Sequence, residues 1–306
     1  MATLHYGKIR CVRLYALAMS PPAREPRISV MTVVPISRFR SRLRDALLPD
    51  YELGPELPGA GMSRVFRARD LSLGRLVALK IVHPDIAKRV GIEQFRREIA
   101  VTAHLLHPHI VPLLAAGDVD GLFWYTMPLV TGESLRTRLF REGSVPLSFA
   151  LRLTVEVAEA LDYAHRQGVI HRDIKPENIL LQDNHAMVLD FGIAGAVTAH
   201  GALPLERPSS GTPGYMSPEQ VLGEPVDGRA DIYSLARTFA EMVTGELPEG
   251  GVSPRLPREV AQIVERALNP DANRRYPTAA EFANALAPCR REPGPWERLV
   301  GKVLRS

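Results

Sequence analysis

The sequence predicts an α+β protein of two parts, in which a smaller strand-rich part precedes a larger helical part. Strand-forming residues and turn glycines dominate residues 51–82, and a second apolar strand pattern covers residues 124–129. From Ser148 onward, apolar residues recur at helical spacing. The first helix of this part is expected to be capped by Ser148, to run to Arg166 and to end at Gly168.

The remaining elements follow from the same periodicities. An amphipathic helix is predicted over residues 92–106, and a short apolar strand over residues 186–189. Further helices are predicted over residues 232–243, 258–268 and 279–286, with a short helix near each end of the chain, over residues 37–48 and 296–304.

Length and charge divide the chain into three segments. The 306 residues and the hydrophobic content of 45% allow one two-lobed enzyme with a sizeable core. Residues 1–50 hold nine Lys and Arg against three Asp and Glu, and prolines interrupt them. We therefore predict a basic, disordered extension over residues 1–50, an ordered domain over residues 51–287, and a short basic tail over residues 288–306.

Composition argues against several classes of protein. Cys11 and Cys289 lie at opposite ends and form neither a zinc spacing nor a disulfide framework, so a cytoplasmic location is expected. No apolar run reaches the length of a transmembrane segment. The basic extension is expected to be solvated, and no nucleic-acid partner is expected.

The densest group of chemically active residues is the segment HRDIKPEN at residues 171–178. Its aspartate, Asp173, and its asparagine, Asn178, are five residues apart, so one short loop carries both. Asp190 opens the triplet DFG directly after the predicted strand at 186–189. Carboxylate oxygens of this kind are ligands that Mg²⁺ prefers.

A lysine in the strand-rich part is also predicted to take part. Lys80 follows three apolar residues in a predicted strand, so its charge is expected to be buried and must be paired. Glu98, on the helix predicted over residues 92–106, is the acid that we expect to pair with it.

In this order and spacing, the motifs resemble the protein kinase fold, specifically the bacterial, eukaryotic-like (Hanks, Pkn-type) serine/threonine branch, over residues 51–286. The resemblance implies a bilobal fold, with a β-rich N-lobe at 51–130 that carries one regulatory helix and a mainly helical C-lobe at 131–287. It implies transfer of the γ-phosphoryl group of Mg-ATP, with Mn²⁺ as an alternative metal. The implied acceptors are Ser and Thr hydroxyls of proteins, the kinase itself included.

The resemblance also implies a role for each catalytic candidate. Asp173 would accept or orient the proton of the substrate hydroxyl, and Lys175 would neutralise the γ-phosphate and mark the serine/threonine class. Lys80, paired with Glu98, would hold the α- and β-phosphates.

Metal and nucleotide contacts are implied in the same way. Asn178 and Asp190 would bind the metal, and Met127 would be the gatekeeper beside the adenine. The residues implied to contact the cofactor are Leu57, Gly59, Ala60, Gly61, Val65, Ala78, Lys80, Met127, Leu129, Val130, Asn178 and Asp190.

The segment after the DFG triplet resembles a kinase activation segment. By resemblance, Glu219 would pair with Arg275, and Asp231 would brace the backbone of the catalytic loop at 171–178. Arg172 before the catalytic aspartate suggests regulation by phosphorylation, because a phosphate can order the loop by pairing with arginine. The candidate acceptors are Thr198, Ser209 and Ser210.

Two departures from the family pattern are present. In the glycine-rich loop, Pro58, Ala60 and Ser63 replace the three signature glycines, which predicts weaker ATP binding or a stiffer lid. After Leu247, the chain reaches Leu256 too soon to hold the docking helix that related kinases insert there.

These departures leave an alternative open. The chain could be a pseudokinase, a nucleotide-binding scaffold without activity. The presence of every charged residue that the reaction needs favours an active enzyme. A small-molecule phosphotransferase on a related fold is disfavoured by the activation segment that ends at Glu219.

Overall fold

A five-stranded antiparallel sheet forms the first lobe. Its strands are β1 (Tyr51–Leu57), β2 (Arg64–Asp70), β3 (Arg75–Ile81), β4 (Ala115–Val119) and β5 (Leu122–Pro128), in the order β1-β2-β3-β5-β4. Lys80 lies on the central strand β3, opposite Val65 on β2 and Tyr125 on β5. Because directly opposed residues project from the same face of a sheet, this register brings the side chains of Lys80 and Tyr125 together.

The hairpin between β2 and β3 sets this register through local turn chemistry. The Asp70 carboxylate accepts hydrogen bonds from the main-chain N–H groups of Ser72 and Leu73, at 3.1 and 3.2 Å. Gly74 then adopts a φ of +66°, a conformation that costs glycine little. The turn therefore fixes where β3 begins, and with it the position of Lys80.

Helix α1 (Ile92–Thr102) lies between β3 and β4 in the chain. It ends at Thr102 rather than at residue 106 as predicted. The Thr102 hydroxyl bonds to the Glu98 carbonyl one turn earlier, at 2.9 Å, and the chain then turns so that the Leu105 N–H meets the Thr102 carbonyl at 3.0 Å.

The second lobe is mainly helical. It holds a small sheet in the order β6-β7-β8, and its elements are β6 (Glu133–Ser134), α2 (Leu135–Glu142), α3 (Leu147–Arg166), β7 (Ile179–Gln182), β8 (His185–Val188), α4 (Pro218–Leu222), α5 (Gly228–Thr244), α6 (Arg258–Ala267) and α7 (Ala279–Leu286). Helix α3 contributes Leu153, Val157 and Leu161 to the buried core, where α5 and α7 also pack. The loop that carries the HRDIKPEN motif follows the end of this buried helix.

The start of α3 differs from the prediction. The prediction that Ser148 caps the helix is wrong, because Pro146 is the capping residue and Ser148 lies inside the first turn. Proline fixes its own φ near the value that a helix entry needs, so the helix begins at Leu147 without a side-chain cap. The predicted stop is confirmed: Gly168, with a φ of +76°, lies just beyond Arg166.

The computed structural model describes residues 50–57, 64–82, 92–119, 122–191, 213–247 and 256–290, together with Arg44, Leu47 and Leu48. Within these ranges the lobe with the five-stranded sheet precedes the mainly helical lobe in the chain, and the predicted bilobal α+β fold is confirmed. No helix in these ranges combines the length and apolar character that crossing a membrane requires. The predicted helix at 296–304, most of that at 37–48, and the shortened segment at 248–255 lie outside the described residues.

Candidate active site

The catalytic loop at residues 171–178 is held by one buried carboxylate. Asp231, on α5 and fully buried, accepts the main-chain N–H groups of His171 and Arg172 at 2.8 and 2.7 Å. The second bond meets Arg172 where its φ is +67°, an uncommon value for a residue other than glycine. The predicted bracing role of Asp231 is confirmed.

A histidine completes the surroundings of Asp231. The Asp231 carboxylate also accepts a hydrogen bond of 2.8 Å from Nε2 of His165, at the end of α3. Burial opposes ionisation of Asp231, but the hydrogen bond and the charge of His165 outweigh burial, so the pKa of Asp231 lies below its ordinary value. The catalytic loop is therefore fixed to two helices of the second lobe.

Asp173 lies within this loop and is surrounded by donors. Nζ of Lys175 lies 2.9 Å from its Oδ1, and Nδ2 of Asn178 lies 2.9 Å from its Oδ2. The Asn178 amide also donates to the main-chain carbonyl of Asp173 at 2.7 Å. The Asp173 side chain is 25% exposed, so a substrate group can still reach its carboxylate. The three motif residues that the sequence singled out are thus in direct contact.

Asn178 also connects the catalytic loop to the DFG triplet. Its main-chain carbonyl accepts the N–H of Leu189 at 2.9 Å, and the Leu189 carbonyl accepts a hydrogen bond of 2.7 Å from His171. The ring of His171 packs edge-on against Phe191, with 4.7 Å between ring centroids. These contacts set Asp190, between Leu189 and Phe191, beside the catalytic loop.

Both carboxylate oxygens of Asp190 have partners. Oδ2 forms an ion pair with Nζ of Lys80, and Oδ1 accepts a hydrogen bond of 2.6 Å from the hydroxyl of Tyr125. Burial opposes ionisation of Asp190, but the Lys80 charge and these hydrogen bonds outweigh it and hold the pKa of Asp190 below its ordinary value. Burial and the Asp190 charge raise the pKa of Tyr125 well above 10, so its phenol is a neutral donor.

The Lys80 partner differs from the one predicted. Lys80 is paired with Asp190, and no Lys80–Glu98 pair is formed among the described residues. Asp190 follows the buried strand β8 and its side chain is only 16% exposed, so the ammonium offsets a large desolvation cost there. Glu98 lies half-buried on α1. Its catalytic role stays a prediction.

An apolar cluster lies beside Lys80 and extends across both lobes. Ala78 and Met127 face each other on β3 and β5 and are buried. The partly buried side chains packed against this cluster are Val65, Leu113, Leu129, Val130, Met187 and Leu189, the last two from the second lobe. Such a surface suits a flat, largely apolar ring.

The remaining residues implied to contact the nucleotide divide into two groups. Leu57 pairs with Val65 across β1 and β2, at the end of the strands that the glycine-rich loop joins. Gly59, Ala60 and Gly61, in that loop, lie outside the described residues, and so do the candidate phosphorylation sites Thr198, Ser209 and Ser210.

The end of the activation segment is fixed to both the loop and the core. Arg275 forms a two-pronged ion pair with Glu219, with nitrogen–oxygen distances of 2.6 and 2.7 Å, as predicted. Its side chain is fully buried. On the same helix, α4, the Gln220 amide donates to the Arg172 carbonyl at 2.9 Å. Helix α4 thus contacts the catalytic loop at Arg172, the residue whose main-chain N–H donates to Asp231.

Sequence reasoning missed a second network around the catalytic loop. The guanidinium of Arg136, on α2, lies 2.7 Å from Glu177, 2.6 Å from Glu241 and 2.6 Å from the hydroxyl of Tyr215. Tyr215 also donates to Glu241. The four residues come from α2, the catalytic loop, the activation segment and α5, so no local motif signals their contact.

The two residues implied to bind a metal, Asn178 and Asp190, carry oxygen donors. Among the described residues, no group of three or more His, Cys, Asp and Glu side chains could hold an ion by itself. Asp190 and Asn178 offer a carboxylate and an amide oxygen, the hard donors that Mg²⁺ takes. Mg²⁺ is commonly bound by one or two carboxylates together with substrate phosphates, so this pair fits a metal that arrives with a nucleotide.

Comparison with known proteins agrees with this geometry. The model of the protein kinase domain matches residues 51–285. Relatives named serine/threonine-protein kinase PknB, from Mycobacterium leprae and Mycolicibacterium smegmatis, are 35% and 37% identical over 258 and 259 residues. Each alignment covers 76% of this chain, but only 42% and 41% of the relative.

A third relative is similar over a shorter stretch. It is a probable serine/threonine-protein kinase of Corynebacterium efficiens, 40% identical over 211 residues, which cover 67% of this chain and 32% of the relative. The chain therefore spans less than half the length of these curated relatives.

Proposed function

We propose, since this chain belongs to the protein kinase family, that it is a serine/threonine protein kinase that transfers the γ-phosphoryl group of ATP to protein hydroxyls, its own included. The observation that carries the proposal is the position of Asn178. Its side chain holds Asp173, and its carbonyl holds the residue before Asp190. One residue thereby joins the candidate base to the candidate metal ligand.

Asp173 and Lys175 would act on the two reacting groups. The partly exposed Asp173 carboxylate would orient the substrate hydroxyl and accept its proton. Lys175, in contact with Asp173, would lie beside the transferred phosphoryl group and offset its negative charge. The lysine at this position supports Ser and Thr as the acceptors, by resemblance to the family.

The nucleotide would bind between the lobes. The apolar cluster around Ala78 and Met127 would receive the adenine ring, and Lys80 would leave Asp190 to pair with the phosphates and with Glu98. Asn178 and Asp190 would hold Mg²⁺, with Mn²⁺ as the alternative, because both ions accept oxygen ligands. The ion, when bound, would supply positive charge that neutralises the phosphates.

The alternative of a pseudokinase gains no support. Lys80, Asp173, Asn178 and Asp190 are all present and lie in two contacting groups. The relatives are named as kinases.

The test is incubation of the folded protein with labelled ATP, Mg²⁺ and a mixture of flexible Ser- and Thr-containing peptides. Removing the base should lower the rate about 100-fold or more, so Asp173→Asn is expected to lose labelling, and Lys80→Ala is expected to lose it too. The matched control is Asp183→Asn, an exposed turn residue, which should keep the wild-type rate. A folded wild-type protein that labels nothing above the Asp173→Asn level would refute the proposal.

A further inference from the structure

We propose that Tyr125 is a positioning residue for the metal site, and that its phenol fixes the orientation in which the Asp190 carboxylate meets a divalent ion. The inference rests on the proposed function, which makes Asp190 a metal ligand. It concerns a tyrosine that no motif in the sequence singles out.

Tyr125 contacts Asp190 directly. The Tyr125 hydroxyl donates to Oδ1 of Asp190 at 2.6 Å, and the tyrosine side chain is only 3% exposed. The contact spans 65 positions of the chain, so tertiary structure alone produces it. A buried phenol normally has a polar partner, and here that partner is the carboxylate beside the catalytic loop.

The two donors on Asp190 differ in how firmly they are held. Lys80 reaches Oδ2 through a flexible four-carbon stem and is the group expected to move to the phosphates. Tyr125 reaches Oδ1 from the middle of β5, and its ring is packed in the apolar cluster with Phe123 and Met127. Tyr125 therefore stays in place when Lys80 leaves.

The hydrogen bond from Tyr125 leaves room for a metal ion on Asp190. An ionised carboxylate offers about four lone-pair positions, and a single O–H donor occupies one of them. The departure of Lys80 frees Oδ2, while the bond from Tyr125 keeps the carboxylate from rotating. Groups that hydrogen-bond a metal-binding carboxylate in this way typically change metal affinity about 10- to 100-fold when removed.

The backbone conformation of Asp190 also needs support from its surroundings. Asp190 has a φ of +63°, a left-handed conformation that persists only where the surroundings enforce it. The Leu189 contacts hold the residue before it, and Tyr125 holds its side chain. Backbone and side chain are thus fixed separately.

The experiment measures metal binding rather than turnover. Mn²⁺ affinity is determined by electron paramagnetic resonance in the presence of saturating ADP, for the full chain and for Tyr125→Phe. The variant is expected to bind Mn²⁺ about tenfold more weakly, because it loses only the hydroxyl. Its affinity for ADP without metal should stay within about twofold of the wild-type value. A merely structural role for Tyr125 would weaken the binding of both ligands.

Two controls bracket the result. The Tyr163 hydroxyl accepts the Leu106 N–H at 3.1 Å and takes no part in the contacts described for the site. Tyr163→Phe removes this hydroxyl, and the Mn²⁺ affinity should not change. In Asp190→Asn, the ligand itself is altered, which sets the lower limit of affinity. If Tyr125→Phe is unfolded by circular dichroism, Tyr125→Met fills the same space with a flexible side chain and should show the same loss.

The outcomes separate this inference from the proposed function. If the wild-type protein binds Mn²⁺ with ADP, Asp190→Asn weakens binding, and the Tyr125 variants match the wild type or bind more tightly, the inference about Tyr125 is overturned and the proposed function stands. If wild type and Asp190→Asn bind equally, Asp190 is not a metal ligand, and both proposals fall.

Discussion

At the residue scale, the buried Asp231 carboxylate accepts two main-chain N–H groups of the catalytic loop and one hydrogen bond from His165. In Asp231→Asn, the amide nitrogen replaces one acceptor and leaves a buried donor without a partner. The free energy of unfolding is therefore expected to fall by about 1–3 kcal/mol, measured by urea denaturation. The control is Asp227→Asn at the exposed start of α5, where asparagine caps a helix as well as aspartate.

The Asp231 carboxylate is also expected to make the free energy of unfolding depend on pH. Its pKa lies below the ordinary value of 3.8 in the folded protein, so its stabilisation is fully present above about pH 4 and is lost as the pH falls through the folded value. The unfolding free energy of Asp231→Asn should therefore depend less steeply on pH below about pH 4 than that of the wild type. Equal slopes and equal stabilities would show that Asp231 does not hold the loop.

Single residues also show what the sequence could and could not predict. Asp173, Lys175 and Asn178 lie within one short loop, so the sequence could predict that they belong to one site, and the structure adds their direct contacts. The partner of Lys80 could not be predicted in this way. Glu98 and Asp190 both carry a carboxylate, and their relative burial depends on the folded structure. Tyr125 was missed because its relation to Lys80 appears only in the register of β3 and β5.

At the element scale, helix α4 is connected to the end of the second lobe by the ion pair between Glu219 and Arg275. The Arg275 guanidinium also donates to the carbonyls of Asn269, Arg229 and Pro270. In Arg275→Ala, Glu219 stays buried without its partner, so we expect a loss of about 3–5 kcal/mol in the free energy of unfolding.

The neighbouring arginine provides a matched control for that loss. Arg274 is 76% exposed, and Arg274→Ala should change stability by less than about 0.5 kcal/mol. The same denaturation measurement serves both variants. Similar stabilities for the two would mean that the buried pair does not anchor the activation segment.

Element boundaries were predictable where local chemistry decides them. Helix α7 has the bounds that periodicity predicted, and it begins after Thr278, whose hydroxyl accepts the N–H of Glu281. The start of α3 was not predicted correctly, because both Pro146 and Ser148 are residues at which a helix can begin. The network of Arg136 joins four separate elements, and nothing in any one of them indicates it.

At the scale of the whole molecule, the order of motifs was enough to predict the family and the bilobal fold, and the match over residues 51–285 confirms both. The lobes share an apolar cluster in which Ala78 and Met127 meet Met187 and Leu189. Ala78 and Met127 were predicted as nucleotide contacts from the family resemblance alone. Met187 and Leu189 could not be predicted in this way, because their position depends on how β8 approaches the larger sheet.

The group around Asp173, Asn178 and Asp190 is proposed to transfer phosphate to Ser and Thr hydroxyls. The most direct measurement is mass spectrometry of the protein and a Ser-, Thr- and Tyr-containing peptide mixture after incubation with Mg-ATP, beside Asp173→Asn. We predict phosphate on Ser and Thr only, absent from the variant. Phosphate chiefly on Tyr, an equal yield from the Asp173→Asn variant, or none from a folded wild-type protein would contradict the claim.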